Sequence, residues 1–290
     1  MGFIIIQINE VTRISQIKVK IKQPSNNDLK KVVRFFWFAT GIIEDDERQF
    51  LLPMDHCDMI INCTGKMEYV SNNKWTISEN VAFHGLRKGP VEIIQRGYCE
   101  TFGITFESWG LYPFVYGDMS LYTDEIVNLS KVNNSLYLRL SEIIEETRNE
   151  LPEQIFDQLT CKVEGLFLEQ FKCTDSFMIA VDVLSEFCAG KHENIKEFCY
   201  TSNINRRKLQ RYFNKYIGVS PKEYMKIAQF ENSTRGLMDD KNAVISDLVY
   251  DGQYFDQSHF TKSFKELSSY TPFKFRKEQP GLKSKLKFGD

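Results

Sequence analysis

Arg207, Gln210, Arg211 and Asn214 follow one another at i, i+3, i+4 and i+7, so on a helix they share one face. An arginine fork matches O6 and N7 of guanine, and a carboxamide matches N6 and N7 of adenine, in the major groove of duplex DNA. Taken alone, such a face is more often an ordinary solvated helix surface. Its setting argues for more. Leu209 and Phe213 recur at i, i+4 on the opposite side and point to a core, Asn205 is a good N-cap, and Arg206 opens the first turn. Before them, Ile195, Phe198 and Cys199 predict a short supporting helix, and Ser202-Asn203-Ile204 a turn. The sequence reads helix, turn, helix.

The same pattern returns about 51 residues later. Asn205-x3-Leu209-x3-Phe213, Ser220-Pro221 and Tyr224 are matched by Asp256-x3-Phe260-x3-Phe264, Thr271-Pro272 and Phe275. Ile245, Leu248 and Val249 form the second supporting helix, and Asp251-Gly252-Gln253 its turn. Gln257, Ser258, His259 and Lys262 then occupy the outward, N-terminal part of the second reading helix. Ser220-Pro221 starts a joining helix that runs to about Met238, a span of roughly 27 Å at 1.5 Å per residue. That approaches the ~34 Å between successive major-groove faces.

The remaining elements must hold these two helices. Ile17-Lys18-Val19-Lys20-Ile21-Lys22 alternates, and Phe35-Phe36-Trp37-Phe38 and Met59-Ile60-Ile61 are strand-like. Turn signals at Ser71-Asn72-Asn73 and Lys88-Gly89-Pro90 suit a small sandwich or barrel over residues 1–115. From about Asp124 the period becomes helical, with Leu136, Leu140, Ile143 and Ile144 on one face. After Pro152 come Ile155, Phe156, Leu159, Val163, Leu166 and Phe167. These two helices either cover the barrel or supply a dimer seam. A further helix over Ile179, Val183, Leu184 and Phe187 ends at Ala189-Gly190.

Bulk properties agree with a globular, two-domain chain of 290 residues, 42% hydrophobic and 26% charged, with mean hydropathy −0.36. The longest N-terminal apolar run, Phe3 to Ile6, is too short for a signal peptide or a membrane span. The net charge of −2 conceals an asymmetry, because residues 175–290 carry 19 Lys+Arg against 15 Asp+Glu. That excess suits phosphate contacts but is modest. Seven cysteines (Cys57, Cys63, Cys99, Cys161, Cys173, Cys188, Cys199) lack zinc spacing and read as reduced packing residues.

Leu209-Gln-Arg211-x-Phe213, Gly218-Val-Ser-Pro221-x-x-Tyr224, and Tyr254-Phe-Asp-Gln-Ser-His-Phe260-x3-Phe264-Lys265 with Thr271-Pro272 resemble the AraC/XylS family of bacterial transcription regulators. The resemblance covers residues 178–276. It implies a cytoplasmic bacterial protein that binds double-stranded promoter DNA through both reading helices, usually as an activator that engages RNA polymerase. Carried over by position, the base-reading places are Arg207, Gln210 and Arg211, and Gln257, Ser258, His259 and Lys262; Arg206 and Asn214 flank the first set. The chain departs from the family at Gln253 and Ser269, where glycine is usual, at Lys262, where Arg is usual, and at Gln229. Gly252 would then have to absorb the second turn.

The N-terminal half resembles, more loosely, a cupin-like domain through Pro24-Ser25, Phe36-Trp37, Leu52-Pro53, Asp58-Met59-Ile60-Ile61-Asn62, and Gly103-Ile-Thr-Phe106 with Gly110-x-Tyr-x-Phe114. Such domains sense small molecules or dimerise. The expected fold is therefore multidomain α+β. Residues 1–122 form a cupin-like sensory or dimerisation barrel, 123–174 a helical linker and candidate dimer seam, 175–280 an all-α domain with two helix-turn-helix motifs joined by a long helix, and 281–290 a basic tail. Trp37, Phe106, Trp109 and Tyr112 are candidate effector contacts, although barrel aromatics are more often core. His56 and His84 do not make the histidine-and-glutamate pattern of a metal cupin, so no metal and no cofactor is expected.

The expected function is a sequence-specific, homodimeric DNA-binding regulator, with a small-molecule effector in the barrel. Two alternatives stay open. One is a cupin-type enzyme or sugar-binding protein with a helical appendage, against which stands the lack of a metal triad or a nucleophile and base pair. The other is a regulator whose barrel only dimerises. A filled barrel interior would favour the latter, and a cavity with convergent polar groups would favour sensing. The Arg-rich first copy is expected to carry more of the base discrimination than the milder second.

Overall fold

Strand formation follows the alternating and aromatic runs. A computed structural model describes residues 5–8, 17–43, 48–64, 67–71, 74–95, 97–148, 150, 154–171, 174–190, 192, 194–239, 244–252, 254–278 and 287–288. The turn at 72–73, Pro152, Cys173, Gln253 and most of the basic tail lie outside them. The strands are β1 (Ile5–Ile8), β2 (Lys18–Lys22), β3 (Val33–Ile43), β4 (Arg48–Leu51), β5 (Cys57–Asn62), β6 (Glu68–Ser71), β7 (Lys74–Ile77), β8 (Val81–His84), β9 (Val91–Ile94), β10 (Gly97–Phe106), β11 (Ile126–Asn128) and β12 (Lys287–Phe288). They make two sheets, ordered β1-β4-β9-β6-β7 and β11-β8-β5-β10-β3-β2-β12. Pairing is antiparallel except for β12 on β2.

The long β3 and β10 form the spine of the larger sheet, with Gly103 opposite Trp37 in register. That glycine is a packing requirement. A Cβ there would fall 1.9 Å from the Trp37 ring, so Gly103 is what lets the indole lie flat across the sheet.

Helices α1 (Asn134–Thr147) and α2 (Ile155–Gln170) cover one face of this domain. Leu136, Leu140, Ile143 and Ile144 are buried with Phe156, Leu159, Val163, Leu166 and Phe167 in one core that includes Phe36, Phe38, Phe102 and Phe106. Phe38 stacks on Phe156, and Phe106 on Phe167. The apolar faces that could have made a dimer seam are spent on the barrel; of the long aliphatics, Leu138 and Leu168 stay exposed.

The C-terminal domain is helical: α3 (Asp175–Cys188), α4 (Ile195–Thr201), α5 (Arg206–Tyr212), α6 (Pro221–Asp239), α7 (Ile245–Asp251), α8 (Gln257–Ser268) and α9 (Pro272–Glu278). Side chains cap the helices where the sequence places Asn, Thr or Asp: Thr174, Asn194, Asn205 and Asp256 each accept a backbone N–H of the first turn. Ser220 and Glu223 exchange hydrogen bonds of 2.9 and 3.2 Å in a capping box that starts α6. At 19 residues, α6 is about 28 Å long.

Candidate nucleic-acid interface and barrel cavity

In the first motif, Asn203 adopts a left-handed φ of 46° between α4 and α5, a conformation Asn tolerates better than most residues. The Asn205 carboxamide accepts from Arg207 N at 2.7 Å and fixes the start of α5. Leu209, Tyr212 and Phe213 are buried, while Arg206, Arg207, Lys208, Arg211 and Asn214 are exposed and Gln210 is half-buried. The single helix expected over 205–216 changes winding, because Phe213–Ile217 is a π-helical turn closed by Gly218. Gln210 Nε2 donates to Asn214 Oδ1 at 2.9 Å, which aligns two carboxamides one turn apart. Among the described residues Arg206, Arg207 and Arg211 make no ion pair. Three guanidinium groups thus stand on one short helix with donors uncommitted.

In the second motif, Asp256 Oδ1 accepts from His259 N at 2.7 Å. Gln257, Ser258, His259 and Lys262 are exposed, and Phe260 and Phe264 are buried. The His259 ring stands edge-on to Tyr254 at 5.7 Å, which orients it. Gly252 has φ −78°, an ordinary right-handed value, and so does not supply a left-handed turn. Ser269 does take the left-handed conformation at the end of α8, with φ 66°. Phe255, just ahead of α8, is 92% exposed, whereas its counterpart Ile204 is 8% exposed. Nothing in the sequence marks Phe255 as exposed: an apolar residue before a reading helix reads as core, as Ile204 is. Exposed there, its ring suits the thymine methyl group in the major groove.

Between the sheets lies a cavity of about 60 Å³ whose lining includes Trp37, Met67, Tyr69, His84, Arg87 and Ile93. Arg87 is 4% exposed; its Nη2 donates to Leu52 O at 3.4 Å. Neither Nε nor Nη1 of Arg87, nor either ring nitrogen of His84, has a hydrogen-bond partner among the described residues. The nearby Asp58 is committed elsewhere: it accepts from Thr105 Oγ1 at 2.7 Å and lies 3.7 Å from His56 Nε2. Burial lowers the affinity of Arg87 for its proton. Burial, with the Arg87 charge, also pushes His84 well below the usual imidazole range. Of the candidate effector contacts, Trp37 lines this cavity. Phe106 packs on Phe114 and Phe167 in the main core, Tyr112 packs on Phe177 and Tyr216, and Trp109 donates to Lys31 O at 3.0 Å beside a separate cleft at the domain junction.

Residues 199–278 match a family model described as a helix-turn-helix domain. The C-terminal domain is of the AraC type. Residues 22–128 match a domain family of unknown function, DUF6597. No curated protein matches the chain. Among solved structures the chain is similar to ToxT from Vibrio cholerae strain SCE256 bound to an unsaturated fatty acid, at 13% identity and TM-score 0.46, over 94% of this chain and 99% of that one. ToxT from Vibrio cholerae O395 bound to (E)-4-(8-methylnaphthalen-1-yl)but-3-enoic acid gives 14% and 0.47, over 92% and 100%. The AraC-like transcriptional activator CuxR gives 11% and 0.29, over 71% and 83%. With an AraC-type helix-turn-helix domain, the chain is a DNA-binding transcription regulator.

The AraC-type domain meets the barrel through polar contacts that sequence alone does not bring together. Asp55, His56 and Glu231 place donor atoms within 4.8 Å of one another, although Glu231 lies 176 residues from Asp55. Their oxygens already accept protein hydrogen bonds. Arg34 reaches Asp55 and Glu107 at 2.7 Å each, Asp55 N donates to Glu231 Oε2 at 3.0 Å, and Arg235 donates to Glu231 Oε1 at 2.9 Å. Burial works against the Asp55 carboxylate, but hydrogen bonds from His56 and Arg34 hold it well below the usual range. Glu231 moves the other way, raised by burial and by Asp55. Elsewhere in the barrel, burial pushes the Cys57 and Cys63 thiols up to about 12, which removes them as nucleophiles.

Proposed function

We propose that the chain activates transcription by laying α5 and α8 in neighbouring major-groove segments of promoter DNA, under the control of a small molecule held in the barrel. The observation that carries the DNA-reading part is the pair of matched, capped helices, with Arg207, Gln210, Arg211 and Asn214 outward on the first and Gln257, Ser258, His259 and Lys262 outward on the second. The arginines reach base edges, and Arg206 and Lys262 serve phosphates or bases at the margins. The AraC resemblance extends the proposal to contact with RNA polymerase and to a homodimer on DNA. A homodimer would have to use surfaces other than the buried faces of α1 and α2.

Effector control is supported by a cavity whose buried polar groups converge and by its connection to the DNA-binding domain. The segment Leu52–His56 between β4 and β5 touches both. Arg87 binds the Leu52 carbonyl, the Leu52 side chain is buried with Phe230 in the core of the second motif, and Asp55 N binds Glu231 on α6. A ligand that moved Arg87 would therefore pull on a residue seated in the second motif.

Arg211→Ala should weaken binding to the cognate site by about 1–3 kcal/mol and relax base preference there. Equilibrium binding to cognate and random duplexes at fixed salt measures both, once cognate fragments have been selected with purified protein. Unchanged affinity for both duplexes would remove α5 as a base reader.

A further inference from the structure

The barrel cavity contains a buried guanidinium that no ion pair engages among the described residues, although the Asp58 carboxylate lines the same cavity and acts on it through space. Arg87 is buried, two of its donor nitrogens are unpartnered among the described residues, and the nearest carboxylate, Asp58, is held by Thr105 and faces His56. Burying an unpaired ion is strongly unfavourable, and proteins retain such an arrangement where something else supplies the partner. Beside it, His84 is fully buried with both ring nitrogens unpartnered among the described residues. A neutral imidazole carries one N–H whichever tautomer it adopts. Tyr69 stands edge-on to it at 5.0 Å and holds the ring in place. Ile60, Met67 and Ile93 make much of the remaining wall apolar.

Those features specify an occupant. One guanidinium and one neutral donor match a single negative charge spread over a planar acceptor, whereas a dianion would need more cations than the cavity offers. The apolar wall calls for a hydrocarbon body, and about 60 Å³ of free space limits that body to a compact one. We propose that the barrel cavity binds a small apolar monocarboxylate, its oxygens on the free donors of Arg87 and His84 and its hydrocarbon part against Ile60, Met67 and Ile93. The proposal rests on the effector reading above and names the chemical class of the effector.

Calorimetric titration of the full-length protein with formate, acetate and propionate, and with the corresponding neutral amides, tests the site. At least one carboxylate should bind, and at least about tenfold more tightly than its amide, because the amide leaves the guanidinium without a charge partner. Arg87→Met should abolish this preference in protein whose circular dichroism matches wild type, and His84→Phe should weaken it. Should Arg87→Met fail to fold, the comparison of carboxylate with amide on wild type still decides. Equal binding of acid and amide, inorganic phosphate binding as tightly as the best carboxylate, or no carboxylate binding up to about 10 mM would each overturn the site. Cognate-DNA affinity measured with and without the bound acid separates the two readings. A change supports effector control through this site, and carboxylate binding with no change leaves the site standing while overturning effector control.

Discussion

The two helix-turn-helix units repeat one plan yet are held in different ways. Leu209, Phe213, Tyr216, Ile217, Tyr224 and Ile227 of the first belong to the same continuous core as Phe36, Phe102 and Phe106 of the barrel. The joint is reinforced by Thr123 Oγ1 donating to Gly218 O at 2.7 Å, by Ser108 Oγ donating to the Tyr224 hydroxyl at 3.3 Å, and by the Tyr112 and Tyr216 rings at 4.7 Å. The second unit has its own small core of Phe230, Leu237, Tyr254, Phe260, Phe264, Leu267 and Phe275, joined by one barrel residue, Leu52. Copies that are equivalent in pattern are therefore unequal in mechanics. The first is built into the barrel core, and the second hangs from α6 and the Leu52 contact. A unit with few apolar ties opens at lower free energy than one merged with the main core.

The sharpest way to break this comparison is to hollow out the smaller core. Phe264 is fully buried among Phe230, Phe260 and Phe275. Phe264→Ala should cost about 3–5 kcal/mol, and the loss should appear as hydrogen exchange in α7, α8 and α9 while α3 to α5 stay protected. Uniform deprotection of both units would mean that the cores are not separate.

Gly218→Ala probes the other side. Gly218 has φ 101°, and a Cβ there would meet Met119 O at 2.7 Å. A strained residue at that joint should cost about 1–3 kcal/mol, read as a lower midpoint of the main thermal transition. A variant as stable as wild type would show that the first unit is not pinned at this point.

The smallest effect concerns Ser269, held at φ 66° where α8 ends. Relief of a left-handed side chain is worth about 1–2 kcal/mol, offset by about 0.5–1 kcal/mol for the extra freedom of an unfolded glycine. Ser269→Gly should raise the stability of the second unit by about 0.5 kcal/mol. Denaturant melting followed by a probe on α8 would register it; a fall in stability would assign the strain elsewhere.

Much of the DNA-binding domain is legible from local chemistry. Asn205, Asp256 and the Ser220–Glu223 box are capping signals that act within four residues, and Leu209, Phe213, Phe260 and Phe264 declare their burial by spacing alone. The π turn at Phe213–Ile217 has no such signal; it ends at Gly218, whose backbone lies against Met119 and Thr123 from a distant part of the chain. Phe255 was hidden for the opposite reason, since nothing in the chain order says that this apolar ring finds no core. In the barrel, aromatic type was a poor guide to the cavity. Phe106 and Tyr112 fill cores, and the residues that bring unpartnered nitrogens to it among the described residues, Arg87 and His84, look in sequence like ordinary surface and packing residues.

The sequence by itself determined the repeat, the helix limits, the inward faces and the outward basic chemistry of α5 and α8, because caps and the 3.6-residue period are properties of neighbouring residues. Only the tertiary structure decided that α1 and α2 cover the barrel, that Leu52 enters the second core, that Asp55 meets Glu231, and that Arg87 is buried with no ion pair among the described residues. Those outcomes join residues far apart in the chain. They depend on which surfaces are removed from water together, and that is settled by packing of the whole molecule.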